Sequence, residues 1–488
     1  MKLEKIQKHP PNASKINKFF ASDAFIPGAS SLAHRGSPLK RNRSLILFLA
    51  CLALTCALGS LHFLWDGSGS APALAILTPH GDNIRQELGA AFKAWSEVRY
   101  GESPEINWID QGGTSEDLRY VQSRFAATPA SIGIDLFFGG GTPPFRTLAR
   151  DSLLQGHAVP TELLADVPES VAGARVYAES EGWYGVALSA FGILYNRPLL
   201  KEKGLPLPDS WADLAEPAAD GWVASVDPRA SGSAHVIYEI ILQKYGWEKG
   251  WRLLACIAAN SSHFTKGASA VLPLVSTGEA AYTVAIDQYA WSLIEKLGTD
   301  RVGFGLPAGE TVTTPDPVAM LKGAPHRRTA ERFMEFLLSE TCQLLWCLKA
   351  GVPQGPSALS LNRMSVLPKV AARMDSSNSF IEANPFLESR QADWAYSDSL
   401  TESRWALVND ALGLWMVDSH EAALKRWRTL NAAMPKSKDG AAWEAAVAAD
   451  RYFRPPASWS EMQAYAARWK DESFRNQTMA VWARELND

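Results

Sequence analysis

The segment ALAILTPHGD at residues 73–82 decides the fold class, because a short apolar run ends there in a small polar loop. An apolar run of this length, bounded by turn residues, is typical of a buried strand in a parallel sheet. Apolar residues then recur at helical spacing, at Leu88, Ala91, Phe92 and Trp95. Residues 73–98 therefore predict a strand, a loop and a helix.

The same pattern recurs twice downstream. The segment EINWIDQGGTS at residues 105–115 predicts a second strand and a loop that opens a helix. Ile132–Phe138 predicts a third strand, which Gly139–Thr142 follows as a loop. Strands and helices that alternate at this spacing form a parallel sheet wrapped by helices. Ligands of such sheets bind at the carboxyl ends of the strands, which here are the three loops.

Further along the chain, the pattern predicts strands that cross from the first α/β unit to a second one. Gly182–Asn196 holds two strand-like stretches back to back. Gly221–Asp227 predicts a strand whose following loop opens the helix His235–Tyr245. We expect this second unit at about residues 197–305. Asp316–Lys322 then predicts a strand that returns to the first unit.

The composition excludes several classes of protein. Of the 488 residues, 47% are hydrophobic and 20% are charged, which is ordinary for a globular chain. The formal net charge of -4 gives no global basic field for nucleic acid. The sequence has no GxSxG, GxxxxGK, HExxH or CxxC motif, and its nine histidines are dispersed. Motif spacing therefore predicts neither a catalytic centre nor a metal cluster.

An apolar run near the N-terminus predicts a membrane segment. Residues 44–64, SLILFLACLALTCALGSLHFL, carry no charge and would span about 31 Å as a helix, close to the thickness of a bilayer core. Residues 1–43 carry nine Lys or Arg and two Asp or Glu, so the positive-inside rule places everything after Trp65 outside. A signal-peptide core usually has about 7–15 residues, which favours an uncleaved anchor over a cleaved signal at residues 44–65.

Two loops carry small polar residues at predicted helix starts, Gly112–Ser115 in the first unit and Ala230–Ser233 in the second. Helix N-termini offer unpaired N–H groups and partial positive charge, which suit phosphate, sulfate or carboxylate. Ordinary capping explains each loop taken alone. Two such helix starts that face each other across a cleft would clamp an anion.

Five motifs then occur in a fixed order: Asp135–Gly139 (DLFFG), Tyr184–Asn196 (YGVALSAFGILYN), Asp227–Ser233 (DPRASGS), Ser276–Tyr282 (STGEAAY), and Pro317–Ser339 leading to Gly351–Pro353. Their order resembles that of extracellular solute-binding proteins of ABC importers, in the type 2 periplasmic-binding-protein class that includes ferric-ion binding proteins. The resemblance covers about residues 73–430. It implies two α/β lobes joined by crossing strands, with a ligand enclosed by hinge closure and delivered to a membrane permease.

The patterns and the resemblance together predict the organisation of the chain. We expect an α/β two-lobed periplasmic-binding-protein fold with mixed sheets wrapped by helices, an N-terminal transmembrane helix and a helical, tryptophan-rich C-terminal extension. The divisions are a basic cytoplasmic tail at 1–43, a transmembrane anchor or signal segment at 44–65, the first part of lobe 1 at 73–190, lobe 2 at 191–305, the return to lobe 1 with C-terminal helices at 306–430, and the helical extension at 431–488.

Matching positions imply a ligand cleft lined by small polar residues and a few titratable ones: Thr78, His80, Gly113, Thr114, Gly140, Thr142, Ser231, Gly232, Ser233, Asp287 and Tyr289. Ferric-ion binders often carry two adjacent tyrosines, whereas here Ala290 follows Tyr289. His80, Asp287 and Tyr289 still supply ligand types that iron accepts, so ferric ion stays open as a cargo. The alternatives are a plain loop histidine and a tyrosine on the lobe surface. No resident cofactor and no resident metal are expected.

The resulting prediction is a membrane-anchored solute-binding protein whose main domain faces the periplasm or the cell exterior. It would bind a small anionic solute, or a metal held with an anion, and signal an ABC permease. One rival reading is an enzyme on the same fold that uses His80 or Asp287 as acid or base. Another is a ligand-sensing ectodomain, although the short cytoplasmic tail contains no recognisable signalling domain.

Overall fold

The computed structural model describes residues 73–171, 173–388, 394–433 and 440–487. The predicted cytoplasmic tail at 1–43 and the predicted anchor at 44–65 lie outside these ranges. Among the helices of the described ranges, none combines the length and the apolar character that a membrane crossing requires.

The strands form one mixed sheet with the order β2-β1-β3-β12-β7-β10-β8-β9, in which β6 and β11 also pair with β7, and β4 and β5 form a separate pair. The strands of the described residues are β1 Leu74–Leu77, β2 Ile106–Ile109, β3 Leu136–Phe138, β4 Ser170–Val171, β5 Ala174–Arg175, β6 Tyr177–Ala178, β7 Trp183–Asn196, β8 Val223–Val226, β9 Ser261–Thr265, β10 Tyr282–Ile286, β11 Val302–Gly305 and β12 Thr313–Met320.

Helices cover this sheet and continue to the C-terminal end of the described chain. They are α1 Asp82–Tyr100, α2 Thr114–Ala127, α3 Thr142–Arg150, α4 Thr161–Leu164, α5 Arg197–Lys203, α6 Gly232–Tyr245, α7 Trp247–Asn260, α8 Leu272–Thr277, α9 Asp287–Leu297, α10 Arg327–Leu338, α11 Glu340–Cys347, α12 Pro368–Ala371, α13 Pro385–Glu388, α14 Asp398–Leu412, α15 His420–Ala432, α16 Gly440–Ala449, α17 Trp459–Arg468 and α18 Glu472–Asn487. The predicted α/β fold with a mixed sheet wrapped by helices is confirmed.

The long strand β7 joins the two parts of the sheet, and every one of its residues is buried. Trp183–Ala190 pairs with β12, whereas Phe191–Tyr195 pairs with β10. We call β1, β2, β3 and β12, with α1 to α3, the first half-sheet. The second half-sheet comprises β8, β9 and β10, with α6, α7 and α9. Strand β7 lies at the junction, and β12 is its neighbour on the side of the first half-sheet.

The third predicted strand is shorter than expected. It was predicted over Ile132–Phe138, but only Leu136–Phe138 is extended and paired. Gly133 has a φ of 75°, in the left-handed region, which interrupts the extended backbone before the strand begins. β1 still pairs in parallel with both β2 and β3, so their carboxyl ends meet at one edge.

The tryptophan-rich C-terminal segment packs against the second half-sheet. Trp415 stacks edge-on against Trp251 of α7, with ring centroids 5.7 Å apart. Trp482 of α18 contacts Trp415 at 6.2 Å and lies parallel to Trp469 at 5.7 Å. Aromatic rings bury large apolar areas in such pairs. The C-terminal helices therefore extend the core next to α7.

Candidate functional site

Three helices of the first half-sheet begin at glycines directly after their strands. Gly81, Gly113 and Gly141 are the N-cap residues of α1, α2 and α3, and no side chain caps any of these helices. Helix first turns without a side-chain cap leave backbone N–H groups available to a ligand. The N-termini of the three helices also carry partial positive charge. All three starts lie at the carboxyl edge of the parallel strands, where ligands of such sheets bind.

The loops that carry these glycines are packed against one another. Gly140 has a φ of 95°, and a Cβ built on it would lie 2.6 Å from Thr114 Oγ1. Gly139 has a φ of 89°, and a Cβ there would collide with the ring of His80. Only glycine fits both the backbone and the space. The structure thus packs the third loop against the first two, with Gly139 next to His80 and Gly140 next to Thr114.

Both ring nitrogens of His80 are engaged. Its Nε2 lies 2.8 Å from Asp316 Oδ2, and its Nδ1 lies 3.0 Å from Thr78 Oγ1. Burial lowers the pKa of His80 and so favours the neutral ring, although the charge of Asp316 acts in the opposite direction. Since a carboxylate only accepts, Nε2–H donates to Asp316 and Nδ1 accepts from the Thr78 hydroxyl. In this arrangement His80 has no free lone pair for a metal.

Asp316 and Arg363 complete this buried group, and the sequence analysis assigned neither to the site. Arg363 Nη1 donates to Asp316 Oδ2 at 2.6 Å and to Ser189 Oγ at 3.1 Å. The Gly141 N–H donates to Asp316 Oδ1 at 3.2 Å. Burial opposes ionisation of Asp316, yet the charge of Arg363 and the contact with His80 hold its pKa well below the usual range. An ionised carboxylate therefore gathers donors from three parts of the chain.

Asp287 lies at the start of α9 and is fully buried. Its Oδ2 accepts the Ala190 N–H at 2.9 Å and its Oδ1 accepts the Gln288 N–H at 2.6 Å. Burial raises the pKa of Asp287 to about 7, although these N–H groups and Arg363 favour its ionised form. This carboxyl group ties α9 to the crossing strand β7. Tyr289, two residues further on, is half-buried.

The predicted serine loop of the second half-sheet opens α6. Ser231 Oγ accepts the Ala234 N–H at 3.3 Å and therefore caps the helix. Ser233 Oγ lies 3.2 Å from Ser231 Oγ. Arg229, just before this loop, is held between Asp227 and Asp418, at 2.9 and 2.8 Å. The loop is thus a capped helix start with a second hydroxyl beside the cap.

Thr142 contacts the C-terminal helices. Its hydroxyl donates to Asp398 Oδ1 of α14 at 3.4 Å. The structure places Thr142 at the first turn of α3, next to Gly141. Of the predicted set, Thr78, His80, Gly113, Thr114, Gly140 and Thr142 thus lie on the first half-sheet, and Ser231, Gly232, Ser233, Asp287 and Tyr289 on the second.

Within the described ranges, no group of three or more His, Cys, Asp and Glu side chains is arranged to hold a metal ion. The site contains the pair His80 and Asp316, but their facing atoms are hydrogen-bonded to each other and do not face a shared metal position. Iron favours several such ligands at once.

Comparison with known proteins defines the class. The family described as bacterial extracellular solute-binding protein matches residues 131–378, just over half of the chain. The chain therefore belongs to this family, as its motif order predicted. The description of this family names solute binding and no catalytic reaction.

Two relatives match about three fifths of the chain. The phosphoglycerate transport regulatory protein PgtC of Salmonella typhimurium is 27% identical over 301 residues, which are 61% of this chain and 69% of that protein. Iron uptake protein A1 of Synechocystis is 26% identical in a 326-residue alignment that covers 60% of this chain and 81% of that protein.

Solved structures match the fold. The periplasmic binding protein AfuA from Actinobacillus pleuropneumoniae, with fructose-6-phosphate bound, has a TM-score of 0.53 at 18% identity, over 73% of this chain and 97% of that chain. Iron-bound HitA from Pseudomonas aeruginosa has a TM-score of 0.51 at 19% identity, over 70% of this chain and 99% of that chain. At these identities the likeness shows the fold alone.

Proposed function

We propose that this protein is the solute-binding component of an ABC-type importer and binds a small anionic solute, with a phosphorylated compound as the leading class. The carrying observation is the set of three uncapped, glycine-started helices, α1 to α3, at one edge of the sheet. Their N–H groups and dipoles favour an anion at that edge. The serine loop that starts α6 would contact the same solute from the second half-sheet.

The predicted cleft residues supply complementary chemistry for such a solute. The N–H groups of Gly113, Gly140 and Gly232 and the hydroxyls of Thr114 and Ser233 donate hydrogen bonds to oxygen anions. Closure of the two lobes around the solute would exclude water and strengthen these bonds. The engaged ring of His80 and the single Tyr289 weigh against direct ferric binding.

Some of the similar proteins are named for phosphorylated compounds and others for iron. PgtC is named for phosphoglycerate transport and AfuA was solved with fructose-6-phosphate, whereas two other similar proteins are named for iron uptake or hold iron. The site chemistry above favours the phosphorylated class over iron. The main domain would lie in the periplasm or outside the cell, held by the anchor proposed at 44–65, and would present its cargo to a permease.

The first experiment is a thermal-shift panel on the full chain. It contains 3-phosphoglycerate, fructose 6-phosphate, inorganic phosphate, ferric citrate and citrate alone. A ligand that binds only the folded state stabilises it by about 2.7 kcal/mol at 100 times its dissociation constant. We expect a higher Tm with a phosphorylated compound. A Tm shift with ferric citrate but not with citrate alone would favour iron as the cargo. Chemical turnover of any compound in the panel would contradict a protein that only binds its solute.

A charge placed at the serine loop tests the site itself. Ser233→Asp puts a carboxylate in the first turn of α6, where it would repel the bound anion, so we expect the Tm shift to disappear. Ser473→Asp is the matched control, because Ser473 is an exposed serine in the first turn of α18. A shift that survives Ser233→Asp would remove this loop from the site.

A further inference from the structure

The helix α14 is attached firmly to the second half-sheet. Arg404 Nη2 donates to Glu239 Oε2 of α6 at 2.6 Å, and both side chains are almost completely buried. The side-chain amide of Asn409 lies 2.6 Å from His235 Nδ1, on the same face of α6. A buried ion pair is costly to separate once its charges have left water. The helix α14 therefore moves with α6 as one body.

The first turns of the same helix reach the first half-sheet. Arg146 of α3 lies 3.1 Å from Glu402 and 4.0 Å from Asp398, in atom pairs of opposite charge. The Thr142 hydroxyl adds a hydrogen bond to Asp398. The helix α3 is itself fixed to the first half-sheet by Phe145, which is fully buried and packs edge-on against Phe137 of β3. One charged contact thus connects α14 to the other half.

The electrostatics make Arg146 the centre of this contact. Burial raises the pKa values of both Asp398 and Glu402, and the charge of Arg146 lowers them. Without Arg146, two partly buried carboxyl groups on adjacent turns of α14 would lose the cation that pairs with both of them. Like charges at such spacing repel. The arginine therefore determines whether α14 and α3 attract or repel each other.

A cavity of about 530 Å³ flanks the ion pair, and its lining includes Arg146 and Glu402. Its walls combine α3, α14 and the turn around Glu181. Four charged side chains line this cavity, so part of the surface beside the contact is polar: Arg146, Arg150, Glu181 and Glu402. The two helices can part when the charged contact breaks.

We propose that Arg146, Asp398 and Glu402 form a latch that holds the two half-sheets together and biases the protein towards its closed state before a solute binds. The inference rests on the proposed function, since it assumes that the lobes open and close around a solute. Population of the closed state then depends on the latch as well as on the cargo. Arg146 acts here as a positioning residue and does not contact the solute.

Small-angle scattering of the ligand-free full chain tests the latch. Arg146→Gln and Glu402→Gln each remove one charge, and Glu402→Gln also keeps the size of the side chain. We expect both variants to have a larger radius of gyration than the wild type, with amide exchange about two- to fivefold faster in the first turns of α14. Arg119→Gln is the matched control, because Arg119 lies on α2, is 68% exposed and pairs with Glu116 of its own helix.

Each outcome decides the proposal. Larger dimensions with faster exchange, at a retained cooperative thermal transition, support the latch. Faster exchange at unchanged dimensions shows local fraying of α14 and overturns it, as do unchanged values of both. Because no ligand is present, a failed solute panel would count against the proposed function without affecting this result.

Discussion

His80 Nε2 and Asp316 Oδ2 lie 2.8 Å apart although 236 positions separate the two residues in the chain. Their hydrogen bond joins the loop after β1 to the crossing strand β12. The same carboxylate also accepts from Arg363 and from the Gly141 N–H. Donors from the first loop, the third loop and the C-terminal part of the chain thus meet on one buried acid at the junction of the two half-sheets.

Asp316→Asn should destabilise the protein strongly. The change leaves Arg363 as a buried cation without its counter-charge, a loss that typically costs about 3–5 kcal/mol. We expect the free energy of unfolding, measured by urea titration, to fall by about this amount. Asp82→Asn is the control, because Asp82 is 85% exposed and lies 3.7 Å from Arg85, so it should change stability by less than about 0.5 kcal/mol. Equal effects of the two substitutions would contradict the role of the buried network.

Stability should reach a maximum near pH 5. Burial raises the pKa of Asp287 to about 7, so the folded state retains a proton that the unfolded state loses near pH 4. Stability therefore falls as the pH rises from about 4 through 7. The pKa of Asp316 is lowered, which places its contribution above pH 4 and removes it in stronger acid. Urea titrations at pH 3, 5 and 8 should show the highest free energy of unfolding at pH 5.

Asp287→Asn tests whether Asp287 causes the fall in the free energy of unfolding above pH 5. The neutral amide cannot lose a proton, so the decrease between pH 5 and 8 should shrink by roughly 2–4 kcal/mol. Burial raises the pKa of Asp117 to about 7 as well, so part of the decrease should remain in this variant. An unchanged slope would show that Asp287 does not titrate in this range.

Gly140→Ala should disturb the contact between the second and third loops. The φ of 95° is unfavourable for alanine, and its methyl group would lie 2.6 Å from Thr114 Oγ1. We expect a lower Tm, with a loss of about 2–3 kcal/mol, and weaker binding of any solute from the panel. Gly156→Ala serves as the control, because a Cβ at Gly156 meets no atom within 4 Å. If Gly140→Ala were as stable as that control, the loops would not be in contact.

Trp482→Ala should loosen the C-terminal helices. Trp482 is 3% exposed and contacts Trp415 and Trp469, so its truncation leaves a large cavity. Substitutions of this kind typically cost about 3–5 kcal/mol. Val481→Ala, on the same helix at 42% exposure, should change stability by less than about 0.5 kcal/mol. Calorimetry distinguishes one lowered transition, which we expect, from a separate early transition, which would show that these helices unfold independently.

Much of the fold was predictable because the signals are local. The apolar runs before Thr78 and Asp110 predict β1 and β2, and both strands form with helices after them. The motif order predicted the family, which the match over residues 131–378 confirms. The strand predicted over Ile132–Phe138 was too long, because hydropathy does not register the left-handed backbone of Gly133.

The sequence by itself determined the alternation of strands and helices and the glycine loops that open α2 and α3, because periodicity and turn chemistry act between neighbouring residues. Only the tertiary structure decided that Asp316 and Arg363 join His80. No spacing rule links these residues, since the chain crosses between the half-sheets before it returns. The pairing of Arg146 with Glu402 likewise depends on how α14 packs, which residue order does not specify. Contacts between distant residues depend on the packing of whole elements, and that packing assembled this site.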